Sequence, residues 1–214
     1  MDGPYTLELR QTKIKGVNIY LMEHHELFPS LYPSLYNNYG RVRQLVAYSK
    51  ATIMAMSFLQ LNNPMVITND WTAGFLPSHC KLNDMLKFIP AASFFHIFHN
   101  LDKDYEGRVY LNPFESYYPE LHHLPYNVVI NDAWNDKILN PSRSVLHSAD
   151  QWGTVSKSYK EEILHVSPLK ELLGAYPNPF GYSNGIDKAG IKQAIVKKYG
   201  DYSYESHLQA KELI

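Results

Sequence analysis

The chain has 214 residues, is 45% hydrophobic and 19% charged, and carries a formal net charge of −1 with a pI near 6.8. That balance is globular and not that of a disordered chain, and it gives no electrostatic footprint for a polyanion, so no nucleic-acid partner is expected. Cys80 is the single cysteine, which excludes an intrachain disulfide; with no signal pattern and no apolar run near the ~18 residues of a span, no membrane partner and a cytoplasmic location are expected.

In chain order, "GVNIYLM" (16–22) predicts a short buried strand. Residues 23–40, rich in Pro, Tyr and Asn, predict a long loop of a kind that often serves function. Residues 41–61 predict a helix, with Val42, Leu45, Val46, Ser49, Ile53, Met56 and Leu59 at helical spacing. "NNP" breaks it, and "MVITND" follows as a buried strand. "WTAGFLPSHCKL" (71–82) predicts a short helix, with Thr68, Asn69 and Asp70 available as N-caps. "NDMLKFIP" connects it to the apolar strand "AASFFHIFHN" (91–100). Strand, helix and strand in succession, with runs too continuous for a one-sided sheet, predict a parallel sheet covered on both faces.

Residues 101–150 are irregular and aromatic, with a helix expected after Pro141. "DQWGTVS" (150–156) predicts a strand and 157–165 a helix opened by Ser156. "SPLKELLGAY" (167–176) predicts another helix, with Ser167 as cap, Pro168 at its first position and Glu171 completing a capping box. "PNPFGYSNGID" (177–187) reads as a loop, and a basic helix follows; Lys192, Lys197 and Lys198 form its solvated face.

Two successive strands end in polar pairs, Asn69-Asp70 and His99-Asn100. Ligands of open parallel sheets bind at the carboxyl ends of strands, so a carboxylate, an imidazole and two amides there make a polyhydroxyl-binding edge. The alternatives are that Asp70 caps its helix and that His99 is a core histidine. The 17 tyrosines, nine phenylalanines and three tryptophans, Trp71 among them, could stack on sugar faces or simply fill the core. His24-His25 and His122-His123 are neighbours that share no helix face, and no metal is expected. No nucleophile elbow, Walker loop or Gly-x-Gly-x-x-Gly is present, so acyl-transfer and dinucleotide chemistry lack their usual residues.

Four phrases carry a resemblance. "TNDWTAGFLP" resembles the His-Asp-Trp-His-x-(Ala/Gly)-Leu-x-Pro segment of starch/glycogen synthases. "IFHNLDKDYEG" (97–107) looks like their Thr-(Val/Ile)-His-Asn-Leu segment, "SADQWGTVSKSYKEEI" (148–163) is similar to their "ADxVxTVSPxYAxEI", and "GYSNGID" (181–187) looks like their "GIxNGID". The resemblance runs in order across roughly residues 15–190. It implies an α/β, Rossmann-like parallel sheet within a GT-B fold, residues 1–187 being part of the N-terminal domain and 188–214 the crossover to a C-terminal partner domain. It further implies a retaining glucosyltransferase that takes a nucleotide-sugar donor (ADP- or UDP-glucose) and an α-1,4-glucan acceptor, with no cofactor or metal. By resemblance, His99 contacts the donor glucose and Asp70 sits on the sugar side, the two being the candidate catalytic residues, and Asn184 lies at the interdomain edge; Asn184, Asn100, Trp71 and Asn69 form the candidate substrate-binding set.

The departures are that Asn69 and Thr72 stand where the family has histidines, and that the family's Lys-x-Gly-Gly-Leu loop is not found; "TKIKGVNI" (12–19) has only a Lys and a Gly. The first β/α units and the second domain are therefore expected to be missing, the chain alone to have negligible turnover, and its exposed edges to favour self-association. A non-catalytic glucan-binding module of the same fold is the alternative.

Overall fold

The computed structural model describes residues 6–28, 38–102, 105, 107–110, 124–131, 138–185 and 188–211. Part of the 23–40 loop, the His122-His123 pair and Ile186-Asp187 of the last motif lie outside the described residues. Two compact units are present, Met1–Tyr182 and Ser183–Ile214.

The first unit opens with an antiparallel hairpin, β1 (Glu8–Ile14) and β2 (Val17–Glu23). Its two-residue turn is Lys15-Gly16, both at positive φ (49° and 85°), the backbone that a tight hairpin turn requires. The expectation of a buried strand at 16–22 is corrected here: β2 is largely exposed, because its partner is the polar, alternating β1 and not the main sheet.

Helix α1 (Asn38–Phe58) follows, and it buries Val42, Leu45, Val46 and Ile53 as its spacing requires. After it come β3 (Met65–Asn69), a 3-10 turn (Trp71–Ala73), α2 (Leu76–Leu82), a second 3-10 turn (Met85–Phe88) and β4 (Ser93–Phe98). The single helix expected over 71–82 is thus two pieces, since Pro77 has no N–H to give and is tolerated only in a first turn. Short β5 (Val109–Tyr110), β6 (Ile130–Asn131) and β7 (Ile138–Leu139) make a small antiparallel sheet in the order β5-β7-β6, with α3 (Tyr126–Val129) between the first two.

The helix expected after Pro141 is α4 (Pro141–Leu146), capped by the Asn140 side chain, which accepts from the Arg143 amide at 3.0 Å. Then come β8 (Gln151–Thr154), α5 (Lys157–Val166), α6 (Lys170–Gly174) and β9 (Phe180–Gly181). Ser156 caps α5 by accepting from the Tyr159 amide at 3.0 Å. Ser167 instead accepts from the Leu169 amide at 3.1 Å in a turn, so α6 starts at Lys170, later than the expected capping box places it.

The main sheet is parallel and four-stranded, in the order β3-β4-β8-β9. Strand order follows chain order, so right-handed connections place the connecting helices on one face. The core follows: Val66, Phe94, Phe98 and Trp152 point to that face and pack with Ile53, Leu76, Val145, Ile163, Leu169 and Leu173. A second cluster joins α1 to Trp71, Phe75, Val109, Val129 and Leu139. Asp150 fastens the sheet's start: its amide bonds the Phe94 carbonyl, its carboxylate accepts from the Phe94 amide, each at 2.8 Å, and Lys81 pairs with it at 2.5 Å. The opposite face is more open than the continuous apolar runs imply.

The second unit holds α7 (Lys188–Tyr199) and α8 (Tyr204–Lys211). The lysines of α7 are exposed as expected. No helix among the described residues is long and apolar enough to cross a membrane.

Candidate functional site

The carboxyl ends of β3 and β4 are paired in register up to Asn69 and Ile97, so the residues that follow emerge side by side. Asp70 leaves β3 with φ 53° and ψ −179°, a backbone almost confined to glycine. Two bonds hold it there. Its amide donates to the Ile97 carbonyl at 3.0 Å, and its carboxylate accepts the His99 amide at 2.8 Å. Asp70 makes no side-chain cap to the helix that follows. The carboxylate therefore ties the end of β3 to the end of β4, and the capping alternative falls away.

His99 is exposed, and its Nε2 lies 3.2 Å from Asn69 Oδ1, a distance at which a protonated Nε2 donates to the amide oxygen. Asn100 is exposed too; its side-chain oxygen accepts from the Asp102 amide at 2.9 Å and so folds the turn after β4. Asn69, Asp70, His99 and Asn100 thus form one continuous polar rim. Trp71 is placed differently. Its indole is buried in the α1 cluster, and a Cβ on Gly107 would come within 2.6 Å of it, so both ring and glycine are used in packing. Asn184 is exposed in the second unit.

Two residues belong to this rim although sequence reasoning did not single them out. Tyr159, from α5, accepts the Leu101 amide at 2.5 Å and lies 3.4 Å from Asn100 Oδ1. Burial raises its phenol pKa, while the Leu101 amide works against that and the nearby Glu162, Asp102 and Asp70 carboxylates add to it. The phenol therefore stays protonated and pins the turn that carries His99. The signal was present in the Tyr of "SKSYKEEI", but its partner lies 58 residues away in sequence. Beneath the rim, His96 is fully buried, with Nδ1 2.7 Å from Thr68 Oγ1 and its ring 4.3 Å from that of Phe98. Burial, and secondarily the neighbouring His99, push its pKa down to about 3, so it is neutral.

Among the described residues no three His, Cys, Asp or Glu side chains gather as a metal site would require. Cys80 is buried, and burial pushes its thiol up to about 11, which leaves it inert as a nucleophile. A groove of about 360 Å³ between the hairpin and α1, lined by residues such as Leu9, Met22, Met54 and Phe58, shares no residue with the rim. Chemically the rim can donate and accept hydrogen bonds toward a polyhydroxyl ligand from a rigid frame.

Residues 1–175 match the family described as the starch synthase catalytic domain. The glycogen synthase of Oceanobacillus iheyensis is 25% identical over 198 residues, which are 90% of this chain and 39% of that protein. The catalytic domain of starch synthase IV from Arabidopsis thaliana, solved with ADP and acarbose, superposes with a TM-score of 0.71 at 19% identity, over 88% of this chain and 39% of that one. The fold is thus that of a GT-B glycosyltransferase fragment, and the chain spans about two fifths of the length of either relative. With residues 1–175 of its 214 matching that family, the chain belongs to the starch synthase catalytic domain family.

Proposed function

We propose that this chain forms the sugar-positioning side of a glucosyltransferase that moves glucose from a nucleotide sugar to the non-reducing 4-hydroxyl of an α-1,4-glucan. The carrying observation is the Asp70–His99 tie, which presents the exposed His99, Asn69 and Asn100 together at adjacent strand ends. In support, one relative is a glycogen synthase, and the superposed starch synthase was solved with ADP and acarbose bound. The His99 imidazole and the Asn69 and Asn100 amides would hydrogen-bond sugar hydroxyls. Asp70 acts through the backbone: it fixes where His99 stands. Rigid placement of a sugar brings reacting atoms together before any bond changes, which is worth much of the barrier. The nucleotide sugar is a substrate and not a resident cofactor. The nucleotide's phosphates would be held by polypeptide beyond this rim.

Calorimetric titration with maltoheptaose tests this. The chain should bind saturably. His99→Ala removes the ring and leaves the backbone tie to Asp70, so affinity should fall about tenfold, the value of one good hydrogen bond. Asp70→Ala should weaken binding as well, through misplacement. A folded chain that does not bind, or a His99→Ala variant that binds as tightly, would contradict the assignment.

A further inference from the structure

The tie from Asp70 fixes the backbone of His99 and leaves the imidazole free to turn about its own bonds. A second contact stops that turning. Asn69 is paired in register with Ile97, and the Asp70 amide donates to the Ile97 carbonyl at 3.0 Å, so the ends of β3 and β4 cannot slide past each other. Across them, the side-chain oxygen of Asn69 lies 3.2 Å from His99 Nε2.

That contact has a direction. An amide oxygen only accepts, so a neutral ring bonded to it carries its hydrogen on Nε2. Nδ1 is then the nitrogen with the lone pair, and among the described residues nothing is bonded to it. Asn100 is turned in the same sense. Its oxygen accepts from the Asp102 amide at 2.9 Å and lies 3.4 Å from the Tyr159 hydroxyl, which leaves its amine group for a ligand. With its oxygen on His99, Asn69 likewise has its amine group left over. The rim thus offers Nδ1 as an acceptor beside two amine donors. A hydroxyl can use both kinds of group, since it donates one hydrogen and accepts at its lone pairs. Residue 69 is also one of the two positions at which the chain departs from the motif it resembles, so the contact of this amide with the ring is the chain's own.

We propose that Asn69 is a positioning residue for His99: its side-chain oxygen holds the imidazole as the Nε2–H tautomer and so leaves Nδ1 as the acceptor for a sugar hydroxyl. This role rests on the sugar-binding reading and adds to it the direction of one hydrogen bond. Direction sets selectivity, because a group placed to accept a hydroxyl hydrogen is left unpaired by a ligand that lacks it.

The experiment is nitrogen NMR of the chain isotopically labelled at histidine, at about pH 8.5, above the ordinary imidazole range, with His99 assigned by His99→Ala. The shifts of the two ring nitrogens tell which one carries the hydrogen. In the sugar-free chain it should be Nε2, and added maltoheptaose should move Nδ1 the more. Asn69→Asp keeps an acceptor oxygen; it should keep that tautomer and bind maltoheptaose within about threefold of the parent. Asn69→Lys offers donors only; it should send the hydrogen to Nδ1 and weaken maltoheptaose about tenfold. Circular dichroism checks that both variants are folded. A hydrogen on Nδ1 in the parent, an Asn69→Lys variant that keeps it on Nε2, or one that binds as tightly as Asn69→Asp would overturn the proposal. A parent chain that carries Nε2–H and binds no maltoheptaose would instead overturn the sugar-binding reading on which it rests, and the two failures are told apart because the tautomer is read without sugar.

Discussion

At the residue scale, Asp70 carries the most consequence. Its backbone costs on the order of 1–3 kcal/mol and persists because two bonds hold it. Asp70→Ala keeps the strained backbone and loses the acceptor for His99. It should destabilise by about 2 kcal/mol in urea and speed exchange of the His99 amide, whereas Asp70→Asn, which keeps an acceptor oxygen and tolerates positive φ, should cost far less. Tyr159→Phe leaves the Leu101 amide without its acceptor and should cost about 1–2 kcal/mol. His96 gives a pH signature. Its folded pKa lies near 3, below the ordinary 6.5, so between those values the unfolded chain binds the extra proton. Its contribution is complete above about pH 6.5 and is lost as pH falls toward 3, at up to about 1.4 kcal/mol per pH unit. His96→Asn, which can still bond Thr68, should flatten that part of the stability profile measured by urea titration at successive pH values.

At the element scale, long apolar periods were readable and short pairings were not. α1, β3, β4, β8 and α5 follow from spacing and from the Ser156 cap. β1 and β9 do not, for different reasons. β1 is polar and alternates, so nothing in it announces a partner, and its hairpin hangs on a Lys-Gly turn. β9 is two residues long and is made a strand only by its contact with β8. β9 also lies tight against the start of α5: a Cβ on Gly181 would lie 2.7 Å from Lys157 Cα, so Gly181→Ala should part β9 from α5. The rim was half legible. Adjacent strand ends in a parallel sheet foretold that Asn69-Asp70 and His99-Asn100 would meet. Sequence could not say that Asp70 would bond across and not along the chain, nor that Trp71 would turn inward beneath Gly107. Gly107 has φ 71° and that ring at its Cβ position, so Gly107→Ala should lower stability by about 2–3 kcal/mol, seen as a lower urea midpoint at unchanged slope.

At the scale of the whole molecule, the parallel sheet and its family were legible because four motifs stand in order. The uneven cover of the sheet was not, since an apolar strand reads the same whether one face or two are packed. Such a surface predicts low solubility for the chain by itself, improved by Ile67→Glu as measured by light scattering at increasing concentration. Function turns on whether the rim at the ends of β3 and β4 meets glucan. The most direct measurement is proton NMR of the histidine ring resonances during titration with maltoheptaose, assigned with His99→Ala. The His99 ring should shift saturably with the calorimetric affinity, while exposed His165 on α5 stays still. A His99 resonance that does not move as sugar binds would contradict it.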